Sequence, residues 1–332
     1  MTASPLLLNS RAAALLQVAR NRAQTLRIAT HTTDDADVFD FGVTAEGGLE
    51  AGLLLARICL ADLADVRLIP AAGELPLPQV WVQTDHPVAA CLCSQYAGWK
   101  LQTDDYFAMG SGPMRAAARS EQLFSELPET EGSLDGVQDA VGVLEAGQLP
   151  SVSATASLRS QLPENCRLQL AVARTASQAG NIQVVARSVE TALHKLHALH
   201  FPLEVLISGT GTAPLISTSS GTGTAPLPPV AKHDLQGIGR TNDAILYGAT
   251  VNLWVRCEDD LITAIGPRVP SSSSAAHGQT FLSLFKAANH DFYAMDAALF
   301  SPAVVVFHNV RSGRSFQFGR HVPQLLRESF GV

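Results

Sequence analysis

Apolar residues recur with helical spacing between residues 178 and 199. At about 100° per residue, Ile182, Val185, Val189, Leu193, Leu196 and Leu199 share one broad stripe. Such a stripe is the core-facing side of an amphipathic helix. Along its edge Gln183, Arg187, Glu190 and His194 recur at i, i+4, i+7 and i+11, so four polar or ionisable groups stand in a column. Arg187 and Glu190 are close enough to pair. A solvated helix edge with a surface ion pair worth about 0–1 kcal/mol is the plainer account of that column. The spacing predicts a short apolar run, a turn at Gln178-Ala179-Gly180, and then one continuous helix to Leu199.

The same patterns place the other elements. Residues 1–27 predict a helix with Asn9-Ser10 as its N-cap, followed by a strand over 25–32. Residues 47–61 predict a helix packed on Leu53, Leu54, Ile58 and Leu60. Strands are expected over 66–70 and 79–84, separated by a Pro-rich stretch at 73–78, and again over 137–144, 168–173, 203–207, 251–257 and 261–265. Residues 281–288 predict a helix. Residues 304–308 and 315–318 flank Arg311-Ser312-Gly313, a hairpin signal. Residues 106–119 predict a helix opened by Gly110-Ser111-Gly112-Pro113. Pro113 suits its first position, and the exposed N–H groups would form either an anion site or an ordinary capped start. SGTGTAPL occurs twice, at 208–215 and 220–227. Two copies are too few for a solenoid, so a loop lengthened by duplication is expected. No Gly-Lys-Ser/Thr follows to make a phosphate loop. Strands and helices interspersed without a strict βαβ rhythm predict an α+β, mixed α/β fold. The expected domains are 1–95 with 285–332, the C-terminal hairpin returning to the first sheet, and 96–284 carrying the long helix.

Composition narrows the function classes. A chain of 332 residues exceeds one small core. Its net charge of −7 argues against nucleic acid, which calls for clustered Lys and Arg. No apolar stretch approaches the roughly 18 residues of a membrane span. Arg11, Arg20, Arg22 and Arg27 precede the first acidic residue, Asp34. That order is shared with organelle transit segments, but an ordinary first helix accounts for it. Cys59, Cys91, Cys93, Cys166 and Cys257 are odd in number and lack framework spacing, which predicts reduced thiols in a cytosolic protein. His194, His197 and His200 step around a helix by about 60° each and do not converge as the histidines of H-E-x-x-H do. No G-x-S-x-G elbow is present.

Six segments then carry a resemblance: TDHPVAACLCSQYAGW (84–99), YFAMGSGPMRA (106–116), QAGNIQVVARSVETALHKLH (178–197), GTGTAPLPPV (221–230), GRTNDAILYG (239–248) and DFYAMDAALFSPA (291–303). In this order they resemble methenyltetrahydromethanopterin cyclohydrolase. The resemblance implies two α/β domains with the substrate cleft between them, a cytoplasmic homotrimer, and neither metal nor cofactor. It implies hydrolysis of the methenyl bridge of a tetrahydropterin to the N5-formyl form, in methanogenic or methylotrophic one-carbon metabolism. The family's catalytic Glu, with an Arg three residues earlier, falls on Glu190 and Arg187. Ser94, Gln95, Tyr96, Ser111, Gly112, Gln178, Arg240, Asn242 and Asp243 are implied to contact the substrate. Two departures stand out: the Gly-Thr-Gly-Thr segment is doubled, and Arg174 stands where the family commonly has Pro.

The chemistry suits these residue types. An amidinium-like carbon shared by two nitrogens arrives already polarised, so a positioned water and two proton transfers are what the protein must supply. One carboxyl group can act first as base and then as acid. Arg187 would lower the pKa of Glu190 and burial would raise it, while the rigid guanidinium fork fixes its orientation. The pterin edge needs a few placed donors and acceptors, for which Asn242, Asp243 and Gln95 are suitable. Two other functions fit the residues: a metal-dependent amidohydrolase using Glu190 and His194, and a catalytically silent pterin-binding or assembly protein.

Overall fold

The computed structural model describes residues 4–33, 35–71, 75–128, 130–131, 136–216 and 230–332. The chain forms two compact units, Met1–Ala64 with Ala89–Gln183, and Asp65–Val88 with Val184–Val332.

The chain opens with helices α1 (Leu8–Asn21) and α2 (Ala23–Leu26), strands β1 (Ala29–Thr32) and β2 (Asp37–Gly42), and helix α3 (Leu49–Cys59). Strands β3 (Asp65–Ile69) and β4 (Gln79–Thr84) belong to the other unit. The chain then returns through a π-helical turn, Val88–Gln95, to strands β5 (Trp99–Gln102) and β6 (Phe107–Ser111) and the short helix α4 (Met114–Ala118). Strand β7 (Asp139–Glu145), helix α5 (Val152–Arg159), strand β8 (Arg167–Ala173) and helix α6 (Gln178–Val185) follow. The second unit continues with helix α7 (Ser188–Ala198), strand β9 (Leu206–Pro214), helix α8 (Val230–Gly248), strand β10 (Thr250–Val255) and helices α9 (Asp259–Ile265) and α10 (Phe281–Ala287). It ends with strands β11 (Val304–Asn309) and β12 (Ser315–Gly319) and helix α11 (Pro323–Phe330).

The first unit is a six-stranded mixed sheet, β1-β2-β8-β7-β6-β5. Strand alternation sorts its side chains. Phe39, Phe41, Val141, Val143, Ala171 and Ala173 face a cluster with Ala12, Leu16, Leu55 and Ile58 of α1 and α3. Val38, Ala140, Leu144, Leu168, Leu170 and Val172 face the opposite cluster, which Ala154 and Leu158 of α5 complete. Asn9 lies inside α1, not at its cap. Its buried amide donates to the Pro113 carbonyl at 2.8 Å and accepts the Val141 N–H at 2.9 Å, tying the helix to the sheet.

The second unit holds another six-stranded sheet, β12-β11-β10-β9-β4-β3. Only β10 and β11 run parallel; the other pairs are antiparallel. The C-terminal hairpin therefore extends this sheet and does not return to the first one. The apolar strand Val304–Asn309 is covered by its parallel neighbour β10, the partner that a crossover through residues 256–303 delivers. Residues 261–265, expected as a strand, are the end of α9, since Asp259 and Asp260 sit favourably in a first helical turn. The first copy of SGTGTAPL is likewise no loop. It runs through the interior strand β9, hydrogen-bonded to β10 and β4. The second copy, and Gly73 in the Pro-rich stretch, lie outside the described residues.

Candidate active site

The π-helical turn gathers five of the expected substrate residues. The Tyr96 N–H bonds the Cys91 carbonyl at 2.8 Å, the i to i+5 step of a π-helix. Its last carbonyls have other partners. Ser94 C=O accepts the Gly112 N–H at 2.8 Å, and the Arg115 guanidinium donates to the carbonyls of Leu92 (3.0 Å) and Ser94 (3.3 Å). Ser94 Oγ donates to the Cys59 carbonyl at 2.7 Å. Ser111 Oγ lies 3.3 Å from Cys59 Sγ and donates to Val143 C=O at 3.2 Å. Gly112 has φ +91°, and a Cβ there would come within 3.1 Å of the Val141 carbonyl oxygen. Ser94, Gln95, Tyr96, Ser111 and Gly112 thus stand around Cys59 and Arg115. Of these, Ser94, Gln95 and Ser111 are fully buried.

Arg115 was not singled out by sequence, yet it is the hub of this region. It is fully buried, and its fork meets Glu121 through Nε–Oε1 at 2.7 Å and Nη2–Oε2 at 2.8 Å. Its guanidinium also lies 5.0 Å from the Tyr96 ring centre. Gly110–Pro113, open to reading as an anion site or as a capped helix start, is divided between two elements. Gly110 and Ser111 belong to β6, the Gly112 N–H is committed to Ser94, and α4 is only five residues long.

The long helix predicted through Leu199 is two helices. Arg187, at φ −83° and ψ 8°, separates α6 from α7. Its N–H bonds Val184 C=O at 3.1 Å, a 3₁₀-type step, and its carbonyl accepts Thr191 N–H at 2.9 Å to begin α7. The column is divided accordingly: Gln183 Nε2 reaches Cys59 Sγ at 3.4 Å in the first unit, while Arg187, Glu190 and His194 belong to the second. Ser177 organises the start of α6, its Oγ donating to Arg174 C=O (2.7 Å) and accepting the Gly180 N–H (3.0 Å). Gln178, at the head of α6, is exposed.

Arg187 and Glu190 are 6% and 4% exposed, so the solvated-edge account of the column fails. Glu190 occupies the first turn of α7, where the helix dipole favours negative charge. Strand β9 explains how that turn is seated. Gly209, Gly211 and Ala213 share the buried face, and a Cβ on Gly211 would fall 2.3 Å from Ser188 Oγ and 3.0 Å from Val189 Cγ2. The Gly-Thr alternation is a strand pattern whose small residues let α7 approach.

Arg240, Asn242 and Asp243 lie on α8, each with an internal partner. Arg240 Nε donates to Ser329 C=O at 3.3 Å and Asn242 Nδ2 to Ile238 C=O at 2.8 Å. Asp243 Oδ1 accepts the Phe281 N–H at 2.8 Å, completing the start of α10. Asp243 is fully buried, and that burial pushes its pKa up to about 7, against the lowering effect of Ser329 and the Phe281 N–H. Lys195, also unflagged by sequence, is buried with Nζ on Ala298 C=O at 2.9 Å, and burial lowers its pKa.

All five cysteines are buried thiols. His194 and His197 lie on α7, while His200 is beyond its end at φ +59°. Among the described residues no group of three His, Cys, Asp or Glu is arranged to hold a metal ion, and no helix is long and apolar enough to cross a membrane.

A family model described as cyclohydrolase (MCH) matches residues 7–220 and 216–330. The chain belongs to this cyclohydrolase family. The two matched stretches meet inside the doubled Gly-Thr segment. A methenyltetrahydromethanopterin cyclohydrolase of Rhodopirellula baltica is 48% identical over 315 residues, covering 94% of this chain and 91% of that protein. One from Methylobacillus flagellatus is 41% identical over 316 residues (94% and 91%). One from Methanosarcina barkeri is 40% identical over 304 residues (90% and 89%). As a member of this family the chain is a hydrolase.

Proposed function

We propose that the protein hydrolyses the methenyl bridge of 5,10-methenyltetrahydromethanopterin to the N5-formyl compound, with Glu190 moving the protons and Arg187 orienting it. The observation that carries this is a buried Glu190 in the first turn of α7, with Arg187 at the helix start, in a chain of the cyclohydrolase family. Water adds to the cationic bridge carbon while Glu190 accepts one of its protons. The bond from that carbon to one nitrogen then breaks, and the electron pair stays on the nitrogen, which takes the proton back from Glu190. The carbinol hydroxyl loses its proton as the formyl C=O forms, so one proton is released overall. The cation at the bridge makes the attack feasible, and the positioned base supplies the general acid–base part.

Ser94, Gln95, Tyr96, Ser111, Gly112 and Gln178 are assigned to substrate on the same proposal. Arg240, Asn242 and Asp243 are assigned with them, in addition to their packing roles on α8. The proposal includes a cytoplasmic homotrimer that works without metal or cofactor; sedimentation and activity after chelator treatment test those parts. Glu190→Gln is expected to fold normally and to lose several orders of magnitude in kcat, followed by decay of the methenyl absorbance. Near-normal turnover in that variant would refute the assignment.

A further inference from the structure

Neither polar atom of the Asn181 side chain has a hydrogen-bond partner, although the residue is only 2% exposed. Buried amides are bonded as a rule, and an exception calls for a reason. A carboxamide carries two donors and an acceptor oxygen, and here all of them are idle.

The neighbours of α6 fix where this side chain lies. A Cβ on Gly52 of α3 would sit 2.9 Å from the Ile182 side chain and 3.0 Å from Ala179 Cα. Gln183 reaches Cys59, the last residue of the same helix. Ala179, Ile182 and Gln183 therefore form the α3-facing side. At about 100° per residue, Asn181 projects roughly 150° away from that side and only about 60° from Gln178, one turn earlier. The buried amide thus shares a helix side with a residue already assigned to substrate, and its own helix packing makes no use of it.

We propose that Asn181 is a substrate-binding residue that engages the amide-like edge of the pterin ring, Nδ2 donating to the ring carbonyl oxygen and Oδ1 accepting from the adjacent ring N–H. A carboxamide and a cyclic amide are complementary in this two-bond manner, and a flat ring in a mostly apolar site is oriented by a few such placed groups. The role rests on the pterin substrate proposed above.

Asn181→Leu removes both polar atoms while keeping the branched shape and number of heavy atoms, and Asn181→Ser shortens the side chain while leaving it polar. Each is assayed in the full-length protein with methenyltetrahydromethanopterin, alongside thermal melting. The expected result is a KM raised about tenfold or more in both, with kcat changed less than threefold. Asn181→Leu is also expected to melt at or above the wild-type temperature, since an idle buried amide is gone. An amide that serves only packing would give the reverse, a lower melting temperature with KM unchanged. A KM within twofold of wild type in either folded variant overturns the role of Asn181 while leaving the proposed reaction standing. Absence of turnover by the wild-type protein overturns both.

Discussion

Replacing Gly211 by Ala tests whether strand β9 sets the depth of α7, the helix that carries the proposed Glu190. No unusual backbone angle is involved, so the effect is one of space. The added methyl carbon would lie 2.3 Å from Ser188 Oγ, 3.1 Å from Ser188 Cβ and 3.0 Å from Val189 Cγ2. Rotation of the Ser188 hydroxyl relieves the first contact, because that oxygen has no hydrogen bond to lose. The two carbon contacts remain, and each is short of ordinary van der Waals separation by a few tenths of an ångström. The start of α7 must therefore move outward. Overpacking of this kind costs about 1–3 kcal/mol, seen as a melting temperature lower by several degrees. Glu190 lies two residues further along the same turn. A misplacement of about 1 Å can cost a hundredfold in rate, so a shift of a fraction of that predicts kcat lower by roughly three- to tenfold, with a smaller change in KM. Ser188→Ala in the same background removes the hydroxyl oxygen but neither carbon contact, and is expected to restore little of either loss. Gly209→Ala, whose nearest atoms are Val189 Cγ1 at 3.1 Å and Leu253 Cδ2 at 3.3 Å, is expected to be milder. Wild-type melting and kcat in Gly211→Ala would refute the claim that β9 seats the helix.

Other consequences can be measured with the same preparations. Arg115→Met strands the Glu121 carboxylate and frees the carbonyls of Leu92 and Ser94, which predicts a loss of about 3–5 kcal/mol in urea unfolding. Arg115→Lys, which keeps the charge but not the fork, is expected to lose less; equal stability of Arg115→Met and wild type would contradict the hub role. Asp243 has its pKa raised on folding to about 7, so the folded state binds more protons than the unfolded one between about pH 4 and 7. Stability contributed by this group is complete below the unfolded pKa and is lost as pH rises through 7. Asp243→Asn removes that slope, and its stability relative to wild type is predicted to rise by a few kcal/mol between about pH 4 and 8. A pH-independent difference would show that Asp243 titrates normally. Asn9→Leu leaves the Val141 N–H without its acceptor, for an expected cost of about 1–3 kcal/mol, read from the melting temperature.

The elements that sequence reasoning placed well are those whose period and length agree. Val304–Asn309 and Ser315–Gly319 with their turn, or the apolar run of α3, admit one interpretation. The failures occur where one local pattern fits two structures. In SGTGTAPL the composition suits a loop, but Gly-Thr-Gly-Thr-Ala is also small-in, polar-out alternation, and only the helix lying on Gly209 and Gly211 reveals which applies. Residues 88–95 contain no recognised π-helical signal. That turn depends on Arg115, more than 20 residues later, to satisfy its carbonyls. The break at Arg187 was hidden because the apolar stripe from Ile182 to Leu199 continues in phase through it. Arg187 itself is an ordinary helix former, and the chain changes unit just before it. A continuous stripe reports which side is buried, not whether the same body buries it along its whole length. The break also alters the chemistry available to Glu190. In one unbroken helix Glu190 would be an interior residue; at the start of α7 it stands in a first helical turn, where the helix dipole favours a carboxylate. The same four-residue column is therefore two different things: Gln183 closes a polar contact on Cys59, and Arg187 and Glu190 begin a new helix with a buried acid in its first turn.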